Sequence, residues 1–148
     1  MPARFKRVKS ILSVMKRNDI KILVVNRAIY PDEKDYGGLD THIKALMAYK
    51  YSVREERLPP SDMARYDLIV AHPPLGFITE LVNFHKNHPE IPLVLDSGYR
   101  KGDRPSEYDG YGRDADGVYY CRWATIQDFL KLVKGLTGEI YQKRALSE

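Results

Sequence analysis

Three short runs of consecutive apolar residues, Ile22-Leu23-Val24-Val25, Leu68-Ile69-Val70-Ala71 and Leu93-Val94-Leu95, constrain this chain more than any other feature. Each is too short for an ordinary helix, is rich in branched residues and is bounded by polar or turn-forming residues, as expected of a strand buried on both faces. Such a strand needs a covering layer above and below it. Between the runs lie segments whose apolar residues recur every three or four positions. Strands alternating with helices predict one mostly parallel sheet with helices on both sides.

The remaining elements follow from the same periodicities. Phe5, Val8, Leu12 and Met15 predict a short basic amphipathic helix over residues 3–17, broken by Asn18-Asp19. Strand one, residues 20–25, leads into a long polar connection that ends Gly37-Gly38-Leu39-Asp40. Asp40 is expected to cap a helix carrying Ile43, Leu46 and Met47. Residues 51–58 alternate in the manner of an exposed edge strand, and Pro59-Pro60-Ser61-Asp62 stops them before one or two helical turns that end by Tyr66. Strand three is residues 67–71, a helix follows over 77–86, and strand four is residues 92–95. Residues 117–121 form a fifth strand and residues 124–136 a last helix bearing Ile126, Phe129, Leu130, Val133 and Leu136. Residues 99–114, with three glycines, a proline and no apolar stripe, read as an irregular loop. The organisation expected is a basic arm (1–18), one α/β domain (19–138) and a C-terminal tail (139–148).

Composition narrows the setting. The 148 residues carry 24 Lys and Arg against 20 Asp and Glu, but residues 1–21 hold seven cations and one anion while the rest holds 17 cations and 19 anions. The basic charge therefore belongs to the arm, and nucleic acid is not expected as a partner of the nearly neutral body. Cys121 is the sole cysteine, so no disulfide forms within the chain and a reducing, cytoplasmic setting is expected. No apolar run approaches the roughly 20 residues of a membrane span, and the interrupted start does not read as a signal peptide.

Three later segments carry a resemblance to a known family. They are Tyr66-Asp67-Leu68-Ile69-Val70-Ala71-His72-Pro73-Pro74-Leu75-Gly76, then Pro89-Glu90-Ile91-Pro92-Leu93-Val94-Leu95-Asp96-Ser97-Gly98, and finally Ala115-Asp116-Gly117-Val118-Tyr119-Tyr120-Cys121-Arg122-Trp123. In this order and spacing they resemble the third, fourth and fifth strands of the receiver domain of two-component response regulators, over residues 20–137. The resemblance implies a flavodoxin-like, doubly wound sheet of five parallel strands in the order 2-1-3-4-5, here with an extra N-terminal helix.

The departures from that family fall on its chemistry. Its magnesium-binding acidic pair falls on Asn26 and Arg27, its phosphate-accepting Asp on His72 and its strand-five Lys on Cys121, with Arg122 next; the switch hydroxyl alone persists, as Ser97. Phosphoryl transfer to a carboxylate needs that nucleophile and a hard cation in an oxygen cage. Asn26, Arg27, His72, Ser97 and Cys121 thus make a degenerate phosphorylation pocket, with no phosphorylation, metal or cofactor expected. The family also docks partners on the surface around strand five, which places Arg100, Arg104, Tyr108, Tyr111, Tyr119 and Trp123 on a partner-binding face.

Two other chemistries compete for the same residues. In open α/β sheets ligands sit beyond the carboxyl ends of the strands. That edge gathers Asn26, His72, Asp96 and Cys121. The types of His72, Asp96 and Cys121 suit zinc, but they lack a spaced ligand motif. Cys121 as a nucleophile with His72 as its base is opposed by two strand spacings, roughly 10 Å. Separately, Lys21-Ile22-Leu23-Val24-Val25-Asn26 followed by Gly37-Gly38-Leu39-Asp40-Thr41-His42-Ile43 is similar to the opening of the N-terminal domain of two-domain glycosyltransferases. The reading that follows is a non-phosphorylated regulatory or adaptor module acting through a protein partner, with a homodimer as one form of that contact. The balance is against catalysis; the alternative is a small enzyme, or a nucleotide- or sugar-nucleotide-binding protein using the carboxyl edge of the sheet.

Overall fold

A computed structural model describes residues 19–26, 39–72, 75–96, 112–113, 117–121 and 125–147. The elements are β1 (Lys21–Asn26), α1 (Asp40–Ala48), β2 (Ser52–Glu56), β3 (Leu68–His72), α2 (Leu75–Asn87), β4 (Leu93–Leu95), β5 (Gly112–Arg113), β6 (Tyr119–Tyr120) and α3 (Ile126–Ser147), with a 3-10 turn at Met63–Arg65. The sheet order is β2-β1-β3-β4-β6-β5. Strands β1, β2, β3, β4 and β6 pair in parallel throughout. These five give the order 2-1-3-4-5 of a flavodoxin-like α/β fold; the apolar runs predict the parallel strands, and the receiver resemblance implies their order.

Alternation along the buried strands divides the interior in two. Ile22, Val24, Leu68, Val70, Val94 and Cys121 join Leu46 of α1 and Phe129, Leu130, Val133 and Leu136 of α3 in one cluster. The intervening Leu23, Val25, Ile69, Ala71, Leu93 and Leu95 join Met63, Tyr66, and Ile78, Leu81 and Val82 of α2 in the other. Successive side chains on a strand point to opposite faces, so a continuous apolar run serves both layers. Strand β2 lies at the edge, and its alternating sequence leaves Ser52, Arg54 and Glu55 exposed.

Three details differ from the sequence expectations. Asp40 is not the cap of α1: Leu39 occupies that position without a side-chain cap bond, and Asp40 is the first helical residue. Its carboxylate is drawn instead to Asn26, described below. The stretch read as an irregular loop contains β5, paired antiparallel to β6 through Gly112↔Tyr120 and Arg113↔Tyr119. Two residues, one of them glycine, carry no period from which a strand is legible; Gly117, at φ 80°, supplies the backbone freedom between the two strands.

The last helix also outruns its apolar stripe, continuing from residue 136 to Ser147 through the residues expected to form a tail. Thr137 stands where that stripe would next place an apolar residue. It is 1% exposed, its hydroxyl lies 3.0 Å from that of Tyr51, and it donates to the Val133 carbonyl at 2.9 Å. Ile140, one turn further, packs against the first cluster. The N-terminus of α3 is capped by Thr125, whose hydroxyl accepts the Asp128 N–H at 3.1 Å. Among the described residues no helix is long and apolar enough to cross a membrane.

Helix α1 ends in a Schellman motif in which the Lys50 N–H donates to the Met47 carbonyl and the Tyr51 N–H to that of Leu46. Lys50 takes the left-handed conformation there, at φ 70°. Two substitutions of opposite sense therefore both raise the urea midpoint. Lys50→Gly relieves a side chain held at positive φ, for a gain of about 1 kcal/mol. Gly138→Ala fills open space on α3, where an added Cβ meets nothing within 4 Å, for a gain of about 0.5 to 1 kcal/mol. A loss of stability at either position contradicts the geometry described.

Candidate functional site

Strands β1 and β3 end side by side, with Asn26 opposite His72 in the parallel register. On either side of this pair the chain turns different ways. Helix α1 leads from β1 to β2 across one face, and α2 leads from β3 to β4 across the other. The crevice beyond these two strand ends is the topological switch point of the sheet.

Asn26 is 8% exposed and its carboxamide is fully engaged. The side-chain oxygen accepts the Leu39 N–H at 3.0 Å, while the side-chain nitrogen donates to Asp40 Oδ1 at 2.9 Å and to Glu55 Oε2 at 2.8 Å. One amide thus ties the end of β1 to the first turn of α1 and to β2. The acceptor holds the N–H of Leu39, the N-cap residue of α1, and the two N–H groups each meet a carboxylate. A carboxylate in place of Asn26 loses both donors and adds a third negative charge.

His72 is partly exposed and is held from the end of β4. Its Nδ1 lies 2.8 Å from the backbone carbonyl of Asp96 and 3.5 Å from Asp96 Oδ2. A carbonyl oxygen only accepts, so Nδ1 carries the proton, and in the neutral ring Nε2 keeps its lone pair. This is the arrangement that orients a histidine as a base or a hydroxyl acceptor.

A second imidazole lies close by. His42, in the first turn of α1, packs edge-on against Phe129 of α3 with ring centroids 4.6 Å apart. Its Nδ1 is buried without a hydrogen-bond partner. Burial lowers its pKa below the ordinary 6.5; the Asp96 carboxylate opposes that shift and the His72 ring adds to it. Cys121 is 1% exposed and belongs to the hydrophobic cluster beneath α1 and α3. Burial, followed by the Asp96 charge, pushes its thiol well above the usual range, so it is sealed under the edge as an inert thiol.

Of the five pocket residues expected from the sequence, Asn26 and His72 come together, Cys121 follows β6 with β4 between it and β3 and is buried in the first cluster, and Arg27 and Ser97 lie outside the described residues. Of the partner-binding set, Tyr119 is half-buried on β6 and packs against the first cluster; Arg100, Arg104, Tyr108, Tyr111 and Trp123 lie outside the described residues, as do the arm and the Gly37-Gly38 turn. No group of three or more His, Cys, Asp or Glu side chains suited to a metal ion occurs among the described residues. The sequence reading missed His42 and the carboxylate partners Asp40 and Glu55. His42 was findable, because the first turn of a helix that follows a strand is placed at the carboxyl edge. Comparison with protein-family models, with curated proteins and with solved structures found no match.

Asn26→Asp lowers stability at pH 7.5 by about 2 to 4 kcal/mol, measured by urea denaturation, because two charge-assisted hydrogen bonds are replaced by repulsion. A neutral result contradicts the role given to the amide. The Cys121 thiol reacts with a disulfide reagent at neutral pH only once denaturant opens the fold. Fast labelling of native protein contradicts its burial.

Proposed function

We propose that this chain is a ligand-binding α/β module that takes a nucleotide or sugar nucleotide at the carboxyl edge of its sheet. The observation that carries the reading is the pair Asn26 and His72 flanking the switch point, with the His72 ring oriented by Asp96. In this reading Nε2 of His72 accepts a hydrogen bond from a ligand hydroxyl. The ligand class comes from the similarity of residues 21–26 and 37–43 to the opening of glycosyltransferase N-terminal domains.

A second reading rests on the same register pair. An amide and an imidazole stand where a receiver domain needs carboxylates, and both are already bonded within the fold. That supports a non-phosphorylated, receiver-like regulatory or adaptor module that works through a protein partner.

A thermal-shift screen separates the two. The ligand-binding reading expects one class of nucleotide or sugar nucleotide, at about 100 times its dissociation constant, to add about 2.7 kcal/mol, or about 5 to 10 °C in a domain of this size. His72→Ala is expected to weaken that ligand at least tenfold. A screen flat across nucleotides, sugar nucleotides and divalent cations contradicts this reading and favours the adaptor.

A further inference from the structure

Helix α1 is fastened at its first turn by two unlike contacts. On one side Asn26 holds Leu39 and Asp40. On the other, the His42 ring lies edge-on against Phe129 of α3. The second contact favours the neutral ring for two independent reasons. His42 Nδ1 is buried without a hydrogen-bond partner, so a proton placed there is unsatisfied. The ring sits in the first turn of a nine-residue helix, where the positive end of the helix dipole opposes a cation. Against these, the Asp96 carboxylate, after β4, favours the charged ring, but it is shared with His72, whose Nδ1 lies 3.5 Å from Asp96 Oδ2.

We propose that His42 is a proton-sensitive latch: protonation of its half-buried imidazole, whose Nδ1 has no partner, releases the first turn of α1 from α3 while the sheet stays intact. The charged and titratable groups acting on the ring are Asp96 from the end of β4 and His72 from β3; α3 presents the uncharged Phe129. On its own helix, Asp40 is held by Asn26. Cys121, after β6, lies in the cluster that α1 and α3 cover, and its thiol stays protonated across this range. The sign follows from the lowered folded-state pKa of His42. The latch is closed above the ordinary histidine value of 6.5 and opens as pH falls below it. Release would uncover the strand ends beside Asn26 and His72. The device does not depend on what that edge binds.

Hydrogen exchange read by mass spectrometry tests it directly, with intrinsic rates corrected for pH. Between pH 7.5 and pH 5.5, peptides covering residues 39–49 are expected to lose about threefold or more in protection, tenfold being the most that one group released to the ordinary value of 6.5 can give, while peptides covering β1 and β3 keep theirs. His42→Gln and His42→Phe, two neutral replacements of different shape, are expected to change less than twofold over the same interval. The proposal is overturned if residues 39–49 show no change in the unaltered chain. It is equally overturned if both variants lose protection as the unaltered chain does, which assigns the effect to carboxylates, or if the sheet loses protection in parallel, which marks global unfolding.

Discussion

Strand β1 has no solvent face, and most of this structure follows from that. Ile22, Leu23, Val24 and Val25 are each fully buried, alternating between the two hydrophobic clusters. One layer cannot cover both faces, so α1 and α3 close one and α2, with the 3-10 turn, closes the other. Pairing with β2 and β3 satisfies the backbone of β1 on both sides. Polar chemistry is thereby excluded from the middle of the sheet. It collects where the apolar run ends, at Asn26 and its neighbours on the carboxyl edge.

At that edge three nitrogen-bearing side chains have been put to different uses. The Asn26 amide is a fastener, with its oxygen on a helix N–H and its nitrogen on two carboxylates. His72 is oriented and partly open, its Nδ1–H committed to Asp96 and its Nε2 lone pair left for a donor. His42 is half-buried, and burial of its ring lowers its pKa. The two imidazoles show that residue type does not assign a role. Both rings are half-buried; a partner at Nδ1 makes His72 the oriented ligand contact, and a buried Nδ1 without one makes His42 the ring that disfavours a proton.

The parts of the fold legible in the sequence were those in which one local pattern coincides with one environment. Continuous apolar runs gave the parallel strands, and the alternation over residues 51–58 gave the edge strand. The five-strand order came with the receiver resemblance, and the coordinates bear out that order without extending to the family's activity. What escaped depended on contacts between distant residues. Asp40 looks like a helix cap until Asn26, fourteen positions earlier, claims its carboxylate. Thr137 looks like the end of a stripe until Tyr51 answers its hydroxyl. Two residues of β5 exist as a strand only because β6 is beside them. At the site, Asn26 and His72 were found from topology, since strand ends are readable, whereas Glu55 was not, because its contribution is set by the register of β2 against β1.

The claim on which the functional account rests is that the crevice beside Asn26 and His72 receives a ligand. Two-dimensional amide NMR of the labelled protein, titrated with the nucleotide or sugar nucleotide that stabilises it most, tests this residue by residue. The account predicts saturable shifts centred on Asn26, Leu39, His72 and Asp96, with the amides of β2 and of the C-terminal half of α3 unmoved. Shifts centred on another face of the domain, or none at ligand concentrations that stabilise the fold, would contradict it.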